Sequence, residues 1–196
     1  MSSLAGYERP FGLRELETVS GVGSLRFGRV GVGVSYQGSQ VAESESAVTA
    51  GIRVKEVGVG VRVRQVQYAD RRWPVFDLGL LIVGRNGIRV GLVGRNTGGS
   101  QTGILGHGGM VGMSVTRDRM TFAIDVQKEA GTPTGGAVGL EIRVSAIAAI
   151  RAGVGGYPER LTLGLGVRCG LAEIDYGILY HTVLGFSHRV AISLTK

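Results

Sequence analysis

Apolar residues recur along this chain at every second position, alternating with glycine, serine, threonine or charge. Val57, Val59, Val61 and Val63 alternate with Gly58, Gly60, Arg62 and Arg64, and the preceding run sets Val48, Ala50, Ile52 and Val54 against Thr49, Gly51 and Arg53. A period of two belongs to an extended strand whose two faces meet different surroundings. With only Lys55 and Glu56 between them, the two runs form a hairpin. The same pattern predicts strands at 18–27, 30–37, 47–54, 57–68, 75–84, 88–95, 109–116, 120–128, 136–144, 147–154, 161–169, 171–180 and 188–195, with residues 1–17 as an N-terminal loop segment before a strand meander over 18–196. Connections alternate between tight turns (28–29, 55–56, 85–87, 117–119, 145–146, 170) and longer polar loops (38–46, 69–74, 96–108, 129–135, 155–160, 181–187). Short turns at one end and longer loops at the other describe a transmembrane barrel. The expected fold is therefore all-β: one antiparallel up-and-down transmembrane β-barrel domain over 1–196, with about 13–14 strands.

The two parities differ in chemistry. One carries Leu25, Phe27, Val30, Val32, Val34, Phe122, Ile124, Leu163, Leu165, Val190 and Ile192. The other is mostly Gly, Ser and Thr, and carries basic residues Arg26, Arg53, Arg62, Arg64, Arg89, Arg143, Arg151, Arg168 and Arg189 with acidic residues Asp125, Glu141, Glu173 and Asp175. An arginine facing lipid at mid-depth costs about 2–4 kcal/mol, so the charged parity is expected to face the lumen. There the arginines either pair with the four carboxylates in a filled interior or form an anion-attracting channel. Tyr36, Tyr68, Trp73, Phe76, Tyr157 and Tyr180 fall near the long-loop ends of their strands, where an aromatic girdle is expected.

Composition narrows the picture. The 35 glycines among 196 residues far exceed the usual share of about 7%. Interrupting apolar runs, they exclude a mainly helical chain. A formal charge of +7 would in a soluble protein suggest a polyanionic partner. One cysteine, Cys169, excludes an internal disulfide framework, and His107, His181 and His188 are too scattered for metal ligation. No run reaches the 18 or so apolar residues of a membrane helix, and MSSLAGYERP has neither the charged nor the apolar region of a signal peptide. An odd count of thirteen strands would leave an open edge, which in hydrocarbon costs several kcal/mol per unpaired backbone group. A partner strand, a homo-oligomer or an upstream segment would have to close it.

The C-terminal stretch LTLGLGVRCGLAEIDYGILYHTVLGFSHRVAISL resembles the last three strands of the PorV/PorQ-type outer-membrane proteins of the FadL-like superfamily. It presents a glycine-rich strand, then Ile174, Asp175, Tyr176 and Gly177, then Leu184 and Gly185 leading into Ser187, His188 and Arg189. YERPFGLREL is similar to the first outer loop of that family, and GLLIVGRNGIRVGLVGRN to its central hairpin. The resemblance implies fourteen strands, a bacterial outer-membrane setting and a structural, secretion-associated or transport role. The chain departs from the family in lacking a signal peptide, a hatch segment and a terminal aromatic residue.

Other candidate sites give way to simpler readings. GHGGMVG at 106–112 has no following Lys-Ser/Thr and opens no helix, so it is no phosphate loop. Asp175 lies on the parity opposite His188, and no nucleophile elbow accompanies them. Cys169 reads as a small lipid-facing or buried residue, and Glu43, Ser44 and Glu45 as a solvated loop tip. No catalysis, cofactor, metal or nucleic acid is expected, and the lipid bilayer is the expected partner. One rival reading is a membrane-anchor or docking subunit whose edge is closed by another chain. A second is a soluble, basic, glycine-rich β-protein that binds polyanions.

Overall fold

The computed structural model describes residues 1–196 apart from 14–15, 40–42, 69–70, 98–106, 158 and 196, and apart from the side chains of Glu43 and Tyr68. Fourteen antiparallel strands follow in chain order: β1 (Ser2–Arg9), β2 (Thr18–Phe27), β3 (Val30–Ser39), β4 (Glu43–Val54), β5 (Val57–Tyr68), β6 (Arg71–Val83), β7 (Ile88–Arg95), β8 (Gly108–Arg117), β9 (Met120–Glu129), β10 (Gly135–Arg143), β11 (Ala148–Gly156), β12 (Glu159–Cys169), β13 (Ala172–His181) and β14 (Gly185–Thr195). Each pairs with its chain neighbours, and β1 pairs with β14 to close the barrel. Closure gives every strand a hydrogen-bonded neighbour on both sides, which a membrane-spanning sheet requires.

The first strand corrects the expectation that residues 1–17 form a loop. Ser2–Arg9 runs antiparallel to both neighbours, with Gly6 opposite Ala191 on β14 and Ser20 on β2. Its two-residue period is blurred because Leu4 lies on the parity of Gly6 and Glu8, while Ser3 lies on that of Ala5 and Tyr7. The ladders on either side define the strand instead. The expected open edge therefore does not exist, and β1 starts and β14 ends at the tight-turn end, where Ser2 faces Thr195. A turn of 3-10 helix at Pro10–Gly12 leaves β1, and the Phe11 N–H donates to Ser187 Oγ at 3.0 Å.

The tight hairpins follow from their turn residues. Between β6 and β7, Asn86 and Gly87 both have positive φ, 58° and 77°, the combination that makes Asn-Gly a preferred two-residue turn. A Cβ on Gly87 would stand 2.1 Å from the Thr116 carbonyl oxygen. Gly87→Val therefore meets both a disfavoured φ and the β8–β9 hairpin. The expected result is a barrel that fails to refold from urea into lipid or detergent, read as loss of heat-modifiable migration on gels, whereas Gly131→Val, also at positive φ but with nothing within 4 Å, refolds with only a modest penalty.

Candidate functional site: the inner wall of the barrel

Directly opposed residues of an antiparallel pair point to the same face, so the registers assign every side chain to one wall. On β5 and β6, Arg62, Arg64 and Val66 oppose Asp77, Val75 and Trp73. Val75, Asp77 and Trp73 are 1%, 6% and 8% exposed. Val57, Val59, Val61 and Val63, on the other parity, are 40–50% exposed. The buried side is the interior, and the exposed rows of Val, Leu and Ile form the outer surface.

Followed around the barrel, the registers put Arg26, Arg53, Arg62, Arg64, Arg89, Arg143, Arg151, Arg168, Arg189, Asp125, Glu141, Glu173 and Asp175 on this inner parity. Two ion-pair networks gather many of them. On the β4–β6 wall, Arg64 grips Asp77 with two bonds, Nε to Oδ2 at 2.6 Å and Nη2 to Oδ1 at 2.9 Å. Its remaining nitrogen reaches Glu45 at 3.0 Å, and Arg62 takes the other Glu45 oxygen at 2.6 Å. The Asn96 amide also donates to Asp77 Oδ1, at 3.0 Å. Two-pronged guanidinium–carboxylate contacts of this kind fix geometry as well as adding energy.

Across the barrel, Arg151 on β11 bonds Glu141 on β10 at 2.8 Å, and Glu173 at 3.0 Å together with Asp175 on β13. To reach β13 it must pass over β12, and glycine lets it: a Cβ on Gly166 would stand 2.7 Å from Asp175 Oδ1 and 2.9 Å from Arg151 Nη1. Arg168 completes the group, 2.8 Å from Glu173. Arg189 pairs with Glu8 across the β14–β1 closure. Asp125 has no ion-pair partner among the described residues, and neither do Arg26, Arg53 and Arg89.

Glu45, Asp77 and Glu8 were not among the acidic residues expected here. Glu45 is no solvated tip, because β4 begins at Glu43 and carries it inward beside Arg62 and Arg64. Asp77 was hidden because β6 is apolar on both parities, but a single carboxylate within Val75–Val83 was a signal. Of the expected girdle, Tyr36, Phe76, Tyr157 and Tyr180 are 38–53% exposed. Trp73 is a correction: it opposes Val66 and packs inside. The side chain of Tyr68 lies outside the described residues. Tyr176 and His188 hydrogen-bond at 2.8 Å on the outer face, and no group of three metal-ligating side chains occurs among the described residues.

Between the networks the wall is lined mainly by small residues. Gly31, Gly33, Gly51, Gly58, Gly60 and Gly79 face inward along β3–β6 and border a cavity of about 910 Å³ with Val22 and Leu81. A second cavity, of about 420 Å³, lies beside Arg119, Arg143, Arg151 and Arg168.

A closed antiparallel barrel with an apolar outer belt and a charged, glycine-rich inner wall has the fold of the bacterial outer-membrane barrels. Among solved structures, the chain is similar to the outer-membrane protein Omp33 of Acinetobacter baumannii (TM-score 0.69, 7% identity, 100% of this chain and 96% of that one). It is similar also to the KdgM porin (0.61, 12%, 100% and 99%) and to a mutant Rhodopseudomonas blastica porin (0.60, 8%, 98% and 97%). No family model and no curated protein matches the chain. At these identities the likeness is one of fold.

Proposed function

We propose that this barrel sits in a bacterial outer membrane and forms a narrow water-filled channel for small hydrophilic solutes, with no chemistry of its own. The observation that carries the reading is the glycine-rich inner wall. An eight-stranded barrel has an interior that side chains just fill, whereas 16–18 strands leave an aqueous channel. Fourteen strands stand close to the second case, and glycines on the inner parity supply nothing to close the space. Continuous rows of exposed Val, Leu and Ile, with charge confined to the opposite parity, support a lipid setting over the soluble polyanion-binding rival, since soluble proteins rarely expose apolar patches beyond a few hundred Å². The pairing of β1 with β14 removes the reason for a second chain at the edge. The PorV/PorQ-type motifs of the C-terminal strands favour a second reading, a structural or secretion-associated barrel, and the carboxylates gathered on Arg151 would suit a filled interior. Planar-bilayer recording separates the two. The channel reading expects discrete steps of conductance that scale with salt, and a purified, folded protein silent at all voltages would leave the structural reading.

A further inference from the structure

We infer that the tight-turn mouth of the barrel is an anion-collecting vestibule, built from arginine side chains without carboxylate partners among the described residues; the inference rests on the open-channel reading above. Arg26, Arg53 and Arg89 each occupy an inward position within two residues of a tight turn, on β2, β4 and β7. All three are exposed. Arg26 Nε donates to its own turn at the Gly28 carbonyl (3.0 Å), and Arg53 Nε does the same at Lys55 (3.1 Å). These bonds hold each side chain over its own hairpin without neutralising its charge.

The same level of the wall carries Arg143 and Arg168, and its inward carboxylates among the described residues are Glu173, engaged by Arg151 and Arg168, and Glu141, shared by Arg151 and Arg143 (3.5 Å). The turns themselves add Arg29, Lys55, Arg85, Arg117 and Arg119 against Glu56 and Asp118. Carboxylates are interleaved with arginines at the other rim, where Arg95 meets Glu129 at 3.0 Å and Arg189 meets Glu8. Among the described residues the tight-turn mouth therefore carries ten basic side chains against four carboxylates, Glu56, Asp118, Glu141 and Glu173. Unpaired guanidinium groups at the entrance of a channel with low-dielectric walls raise the local concentration of anions, and their planar donors match carboxylate and phosphate oxygens. The ligand class is small carboxylate- or phosphate-bearing anions, entering preferentially from the tight-turn side.

The test uses the whole protein in bilayers of phosphatidylcholine, so that lipid charge contributes nothing. Under a KCl gradient the reversal potential is expected to report several-fold preference for chloride over potassium. Citrate added to one compartment should block the current several-fold more strongly than citrate added to the other. The triple variant R26Q/R53Q/R89Q should lose both effects while keeping heat-modifiable migration, and R26K/R53K/R89K should retain the chloride preference. A conducting wild-type channel without anion preference or sidedness, or a triple glutamine variant that keeps both, overturns the vestibule and leaves the channel standing. Absence of conductance overturns the channel itself.

Discussion

Val61→Arg lowers the stability of the barrel in phospholipid bilayers by about 2–4 kcal/mol, the cost of a guanidinium on a lipid-facing strand at mid-depth. Val61 lies mid-strand on β5, between Ala50 on β4 and Leu78 on β6, and is 40% exposed. An arginine there has no carboxylate on its own face within the β4–β6 ladders, whereas Arg62, one residue along, has Glu45. The control is Ala123→Arg on β9, an inward position between Ser114 and Gly139 and two residues from Asp125, which has no ion-pair partner among the described residues. It should change stability by less than about 1 kcal/mol, the scale of a solvated ion pair. Denaturant unfolding in vesicles, followed by emission of the single tryptophan Trp73, measures both. Equal costs at the two positions would mean that the valine rows do not face hydrocarbon, and detergent-free solubility of either protein would return the soluble reading.

Asp77→Ala is the second large effect. Asp77 is 6% exposed and neutralises Arg64, whose side chain is only 16% exposed. Its removal leaves Arg62 and Arg64 sharing Glu45 and strips the Asn96 amide of an acceptor. Stranding one member of a buried ion pair costs about 3–5 kcal/mol, and water in the lumen places this case near the lower end. The expected loss is about 3 kcal/mol, read from the unfolding midpoint in lipid. Replacing both partners by apolar residues, Asp77→Leu with Arg64→Met, should recover most of it, because no charge is then left unpaired. A single variant within about 0.5 kcal/mol of wild type, the range of ordinary surface substitutions, would show that the lumen hydrates Arg64 fully and that the network is not structural.

Most strands were legible because a barrel wall imposes one rule at every position: lipid on one side and an enclosed space on the other. Rows such as Val57 to Val63 and Leu161 to Val167 satisfy that rule locally, and Asn86-Gly87 marks its turn without help from distant residues. Positions that depend on partners were not legible. Ser2–Arg9 has a mixed pattern and becomes a strand only because β14 and β2 offer it two ladders. Trp73 and Asp77 sit in a strand apolar on both parities, so only its register with β5 tells inside from outside.

The sequence by itself determined the period, the hairpin order and the chemical difference between the two walls, because a strand's alternation and a turn's φ angles are local properties. Only the tertiary structure decided that β1 closes the barrel, that Glu45 and Asp77 neutralise Arg62 and Arg64, and that Arg151 crosses β12 over Gly166. Closure and charge pairing join residues far apart in the chain, and their energies depend on distances that no local pattern encodes.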